Sequence, residues 1–539
     1  LIDKSNKTNQ TAVVVYTLEK RERKMKKQYK LTTLLLAAIL LVGIFSGCGS
    51  NAPAATSGAP NASQDASSSD DTGESGVPEQ EPYTVKIFMA GDATTEDCNL
   101  VAEALSEITV EKYNTTVQIT RFGFGTYGDQ VNLALSSGEK MDLMPNLGVS
   151  LLEGAHNGQI LPLTDLLQEY GQELLEMITE EEWGCVTVNE EIYAVPNRKE
   201  HGGGMGYIVV KKILDETGTD PSTIKTQDDM AELFRKVKEL YPNIAPLVSD
   251  GGSLDWFSVQ KDDLGGDFGV LEDCLADDYT VVNWYATETF YNEVVRQYEW
   301  AQEGLILKDG STNSEQGVDL LAAGMGFAMQ TNTKPGVDVE RELLIGREIE
   351  VIELVEPFAQ TGSVSGNVWF ITYNSERPGR AMQILNEIYV NPDASNLVIN
   401  GIEGRHYVMV DEALGVIGYP EDASSSQNGY SSLPWAWPNE LNTYTWESSY
   451  PDLWKDTEEF NQNINLSVAF GFIWDNEKVL SEIAACKNVL EKYKNALVCG
   501  ELEPDETIAK MNEELDRAGM QTIIEEKQRQ LDEWLATKD

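Results

Sequence analysis

The sequence predicts an α/β fold that ends in an α-rich part, and three observations carry that expectation. Short apolar runs of strand type alternate with helix-type runs from Tyr83 onward. The same alternation restarts at Tyr207 after a glycine-rich passage. Beyond Leu397 the apolar spacing turns helical, and Val479, Ile483, Cys486, Leu490, Tyr493 and Leu497 form one seam at intervals of four and three. Strands alternating with helices imply a parallel sheet covered on both faces.

The chain opens with residues 1–24, which precede a complete export signal. Translation is therefore expected to start at Met25, with 1–24 a gene-model extension. Lys26, Lys27 and Lys30 make a positive n-region, residues 31–45 are almost wholly apolar, and Ser46-Gly47 precede Cys48. An apolar core of about 15 residues is short for a membrane span, which needs about 20. Phe45-Ser46-Gly47-Cys48 resembles the lipobox of bacterial lipoproteins, with Phe45 in place of the usual Leu, and this implies a signal peptide over 25–47 and an acylated Cys48. Residues 49–80 are rich in Ser, Ala, Gly, Asp and Asn and lack aromatics, so they bury too little to fold. A tether of this length spans roughly 30 Å.

Order begins near Tyr83. Residues 85–89 read as a buried strand and 98–113 as a helix with Val101, Leu105 and Ile108 on one face. A strand over 117–122, a helix over 130–137 and a strand over 141–144 complete the first βα units. Residues 207–210 form the next strand, followed by helices over 211–217 and 226–240. In the last part, Ile508, Met511, Leu515 and Ala518, then Ile524, Leu531 and Leu535, extend the helical pattern. These seams are too short for a sustained heptad and are expected to pack on the protein itself.

Composition narrows the function. The chain has 89 acidic and 40 basic residues; without 1–47 it keeps 86 and 31, a net charge near −55. Such a surface repels nucleic acid and anionic lipid. Cys98, Cys185, Cys274, Cys486 and Cys499 are scattered, odd in number and without CxxC spacing, so buried thiols are expected rather than a disulfide framework or zinc site. His156, His201 and His406 are the only histidines.

Several phrases carry a family resemblance. Gly158-Gln159-Ile160-Leu161-Pro162-Leu163 is followed by Glu191-Ile192-Tyr193-Ala194-Val195-Pro196, by the 320–329 stretch LLAAGMGFAM, and by 367–372 with Pro378, Ala381 and Leu385. The run resembles the extracellular solute-binding proteins (family 1) of ABC transporters, which include maltose- and oligosaccharide-binding receptors. From 397 on, NLVINGIEGRHYVMV, GFIWDNEKVLSEIAA and EEKQRQLDEWL are similar to the C-terminal module of LipO- and LplA-like lipoproteins. The resemblance implies a two-lobed, periplasmic-binding-protein-like fold of class II type. Its expected parts are a first lobe over 81–196, a hinge crossing over 197–205 in which Gly202, Gly203 and Gly204 give backbone freedom, and a second lobe over 206–360. A return to the first lobe over 361–396 and an α-rich module over 397–539 follow.

Motifs for other chemistries fall short. Gly123-Phe124-Gly125-Thr126-Tyr127-Gly128 is a literal GxGxxG, but it follows the second strand, and Asp142 comes too soon for a dinucleotide site. His201-Gly202-Gly203-Gly204 mimics an esterase oxyanion loop without a GxSxG elbow, and Ser363 and Ser365 are misplaced for one. Asp262, Asp263 and Asp267 do not fit a calcium-loop spacing. No carboxylate pair stands out for glycoside hydrolysis.

A sugar offers an apolar face and a hydroxyl rim, so its site wants flat aromatics edged by polar groups. Trp435 and Trp437 lie in a Gly/Ser/Asn/Pro-rich loop where no core is expected; Trp256 and Trp369 are further candidates. Family position adds Asp92, Tyr127, Asn146, Asn197, Glu200 and Arg405 as ligand-binding residues. The expected function is capture of a carbohydrate, an oligosaccharide foremost, by a monomer lipid-anchored on the extracytoplasmic membrane face. Its partners are the ligand and the transmembrane subunits of an ABC permease, with no cofactor, metal, catalysis or nucleic acid. A surface glycosidase or other hydrolase, a non-transport adhesin or sensor, and a receptor for peptides or polyamines remain as alternatives.

Overall fold

The computed structural model describes residues 81–254, 260–421, 423–424 and 427–538. The signal region, Cys48, the tether and Trp256 lie outside the described residues. The first lobe is built on a five-stranded sheet in the order Thr115–Phe122, Tyr83–Ala90, Leu143–Pro145, Val368–Ile371, Val195–Pro196. Its first two pairings are parallel, and Val368–Ile371 enters antiparallel to both neighbours. Val85, Ile87, Phe88 and Met89 are all buried, as expected of a strand covered on both faces. The helix Thr95–Tyr113 starts three residues before its expected position because Thr94 caps it, accepting the Asp97 N–H, and it stops at left-handed Asn114.

The helix Phe124–Ser137 starts earlier still, inside the GxGxxG run. Gly123 is its N-cap, so Gly125 and Gly128 lie within the helix. Gly128 is there for contact: a Cβ on Gly148 would come within 2.8 Å of the Gly128 Cα. The glycines thus serve helix-to-loop packing.

The second lobe holds the sheet Asn465–Leu466, Ile349–Ala359, Gly203–Val210, Gly326–Thr333, Ala245–Leu247. Here the glycine run differs from its expected role. Gly203 to Met205 belong to the strand, and neither Gly202, Gly203 nor Gly204 has positive φ. A Cβ on Gly202, Gly204 or Gly206 would collide with the carbonyl oxygens of Phe358, Val355 and Ile352 respectively. The alternate glycines let Ile349–Ala359 press close, and they make a seam rather than a swivel.

The described residues of 397–538 are divided mainly between two cores, with Cys499 alone joining that of the second lobe, where sequence suggested one module. Val398, Ile399, Tyr430, Ala436 and Trp437 join the first-lobe core, beside a small sheet of Val408–Asp411, Val416–Gly418 and Thr445–Trp446. The helices Leu480–Val498, Pro504–Ala518 and Met520–Leu535 instead pack with Leu264, Phe268, Trp284, Phe290 and Val294 into a third core. Cys486, Leu490 and Leu497 of the expected seam are buried in it. The five described cysteines are buried and form no disulfide bond. Burial pushes the Cys274 and Cys486 thiols up, to about 12 and about 11. No described helix is long and apolar enough to cross a membrane.

Trp437 is fully buried and stacks on Trp369, ring centroids 5.3 Å apart. Replacing it by alanine is expected to cost about 3–5 kcal/mol, read as a lower denaturant midpoint at unchanged slope.

Candidate ligand cleft

The strand Gly326–Thr333 ends in Lys334-Pro335-Gly336, the carboxyl-end position where ligands of α/β sheets gather. Gly336 takes φ 76° and caps the helix Val337–Ile345, which displays Leu343 and Leu344 at 66% and 55% exposure. Opposite stand Tyr419, Trp435 and Trp446, and the space between is a cleft of about 930 Å³ that Glu200, Lys334, Glu440 and Trp454 also line.

The aromatic wall is pre-set. Trp435, 37% exposed, is backed by Phe124 in a near-parallel stack at 6.2 Å. Tyr419 and Trp446 lie 4.3 Å apart, and the Trp446 indole donates to Asn400 Oδ1 at 3.2 Å. Below the rings, the Trp454 indole N–H and the Thr445 hydroxyl are buried with no hydrogen-bond partner among the described residues. Buried polar groups seldom go unmatched. Both residues line the cleft.

The charged floor is shared with a second chamber of about 640 Å³, lined also by Lys199, Lys261, Trp284 and Arg341. Lys199 and Lys334 reach Glu200 at 2.7 and 3.1 Å. Burial works to raise Glu200, but the Lys334 and Lys199 charges outweigh it and hold its carboxyl below the usual range. Glu440 has the opposite balance: burial first, then the Glu200 charge, push it up to about 8 in spite of the two lysines.

The first crossing carries this floor. Glu182 receives His201 Nδ1 at 2.7 Å and Arg198 at 3.2 Å. Burial would raise Glu182, yet the His201 hydrogen bond and the electrostatic pull of His201 and Arg198 bring it down to about 2. Asn461 ties the segment further, accepting the His201 N–H at 2.9 Å and donating to the Lys199 carbonyl at 2.7 Å.

Of the residues expected at the ligand, Trp435 and Glu200 line the cleft. Asn197 is buried and supports it, its Nδ2 donating to the Trp435 carbonyl at 2.9 Å. Asp92 sits in the exposed loop after the first strand, its carbonyl accepting from the Ser431 N–H and hydroxyl. The structure does not bring the others to the cleft. Tyr127 is buried against the Phe88 and Pro145 carbonyls. Trp369 and Trp437 are each other's core partners, because Trp369 sits mid-strand in a doubly covered sheet. Arg405 is drawn to the carboxylates of Asp97 and Glu96, at 2.6 and 3.0 Å. Asn146 lines a third cavity of about 760 Å³ and binds the Ser365 and Gly366 carbonyls.

Sequence reasoning missed Lys334, Leu343, Leu344, Tyr419, Glu440, Trp446 and Trp454. The Lys334-Pro335-Gly336 turn was accessible, since it follows an expected strand directly. Tyr419 and Trp446 belong to or follow short strands inside the part expected to be α-rich, where no aromatic periodicity marks them.

Glu440 yields a pH expectation. Its folded carboxyl keeps a proton that the unfolded chain releases, so the stability it contributes is full below about pH 4.5 and lost as pH rises through about 8. Glu440→Gln should flatten that decline, seen as a variant-minus-wild-type denaturant midpoint that grows from pH 6 to pH 9.

Comparison with known proteins agrees with this architecture. A family model described as bacterial extracellular solute-binding protein matches residues 99–388. A second, described only as a domain of unknown function, matches 468–536, the helices of the third core. The carbohydrate ABC transporter substrate-binding protein of Streptococcus pneumoniae serotype 4 is 24% identical over 468 residues, covering 84% of this chain and 91% of its own. The N-glycan transport solute binding protein NgtS from Streptococcus pneumoniae has a TM-score of 0.76 at 22% identity, over 85% of this chain and 100% of that one. An HMO-binding, ABC-transporter-associated solute binding protein from Bifidobacterium longum infantis has a TM-score of 0.60 at 15% identity, over 84% of this chain and 99% of its own. The chain belongs to the bacterial extracellular solute-binding protein family.

Proposed function

We propose that the protein is the substrate-binding component of an ABC importer, and that its cleft of about 930 Å³ captures an oligosaccharide. The carrying observation is the composition of that cleft. Trp435, Tyr419 and Trp446 offer flat apolar faces, while Trp454, Thr445, Glu200, Lys334 and Glu440 supply a polar edge and floor. Pyranose rings need that combination. Relatives named for carbohydrate and N-glycan transport support the same ligand class.

In this reading Leu343 and Leu344 form the opposing wall and are covered when the lobes close. Motion is absorbed in the crossings, 197–202 and 360–367, since the glycine seam of the second sheet leaves no slack. Ligand then shifts the population toward a closed form that the permease recognises. The protein releases its ligand chemically unchanged, acts as a monomer and is held at the outer membrane face through an acylated Cys48.

Calorimetry against neutral oligosaccharides, peptides and polyamines tests the ligand class. Binding by an oligosaccharide, weakened roughly 10- to 100-fold by Trp435→Ala for a loss of about 1.5–3 kcal/mol, is the expected result. Responses to peptides or polyamines alone would sink it, and turnover of chromogenic glycosides would make the protein an enzyme. Cys48→Ser should move the protein from the membrane fraction into the medium.

A further inference from the structure

Away from the cleft, three potential metal-binding side chains meet at the rim of the cavity of about 760 Å³. His156, Asp475 and Glu477 each offer one donor atom within 4.8 Å of the other two. They come from different bodies. His156 ends the helix Leu151–His156 of the first lobe, and Asp475 and Glu477 form the turn that leads into Leu480–Val498 of the third core.

The turn is held in place before any ligand arrives. The Asp475 N–H donates to Gln530 Oε1 at 2.9 Å, and the Asp475 carbonyl accepts from Gln530 Nε2 at 2.7 Å. Asp475 Oδ1 accepts the Glu477 N–H at 3.0 Å, and Oδ2 faces His156 Nε2 at 3.9 Å. Lys478, the adjacent base, turns away to Glu526 at 3.0 Å. Among the described residues no lysine or arginine forms an ion pair with Asp475 or Glu477. The aspartates near 262 differ here: Lys261 pairs with Asp263, Lys487 approaches Asp267, and Ser467 donates to Asp262.

One imidazole with two carboxylates is a mixed nitrogen and oxygen set. Calcium and magnesium favour oxygen alone, whereas zinc accepts this mixture at bonds of about 2.0–2.2 Å. His156 and Glu477 are exposed, so their side chains can draw in by about an ångström to reach such bonds. Three protein ligands would leave a fourth position, facing a cavity that Asn157 and Asn476 also line.

We propose that His156, Asp475 and Glu477 form a binding site for a zinc-class divalent ion, which ties the first lobe to the helical third body. This site is independent of the oligosaccharide reading. Calorimetry on the purified exported protein, stripped with EDTA, would titrate Zn²⁺ with Ca²⁺ and Mg²⁺ as controls. One Zn²⁺ per chain is expected, with affinity at least tenfold weaker in His156→Ala and in Asp475→Asn. Zn²⁺ should raise the melting temperature of the wild type and not of His156→Ala, whose fold is checked by circular dichroism. Unchanged Zn²⁺ affinity in a folded His156→Ala, absence of a one-to-one site, or equally tight Ca²⁺ binding would each overturn the assignment.

Discussion

The cleft depends on one length of backbone, residues 430–440, which returns from the C-terminal region to lie along the first crossing. The Arg198 N–H donates to the Pro438 carbonyl at 2.8 Å, and the Glu440 N–H donates back to the Arg198 carbonyl at 3.1 Å. Asn197 holds the Trp435 carbonyl, and the Trp369 indole holds that of Ala436 at 3.2 Å. A single 3₁₀ turn over Pro434–Ala436 then separates two tryptophans only two residues apart. Trp437 goes into the core against Trp369, and Trp435 is left at the cleft. The position of the cleft wall is thus set by how well a neighbouring ring is buried.

Much of the architecture was legible because it is written in periodicity. The largely apolar stretch at 85–89 reads as a covered strand, and the C-terminal seam, too short for a sustained heptad, reads as a packed helix face. Less visible was where a chain segment spends its burial. Trp435 and Trp437 sit in the same polar loop and looked alike, yet Trp369, in a strand of the first-lobe sheet, decides between them. Arg405 likewise depends on Asp97, some 300 residues earlier, which also accepts from His406 and Thr94. The glycines at 202–206 illustrate the same blindness. A glycine needed for positive φ and one needed for close approach are identical in sequence, and only the carbonyls of Ile349–Ala359 distinguish them.

Electrostatics follows the same economy. In a chain with 89 acidic residues, two of the 40 basic ones, Lys199 and Lys334, converge on Glu200 beside the cleft. Their pairing leaves Glu440 as the group that burial controls. A carboxyl that keeps its proton near neutrality can donate as well as accept, which suits a floor facing hydroxyls of either polarity.

The burial of the five described thiols shields them from exchange chemistry. Among the described residues they form no disulfide bond, and those with shifted acidity resist forming the thiolate through which disulfide exchange proceeds. Each of the five sits in packed surroundings with at most a few per cent of its surface exposed, so an exchange partner in solvent meets none of them until the fold opens.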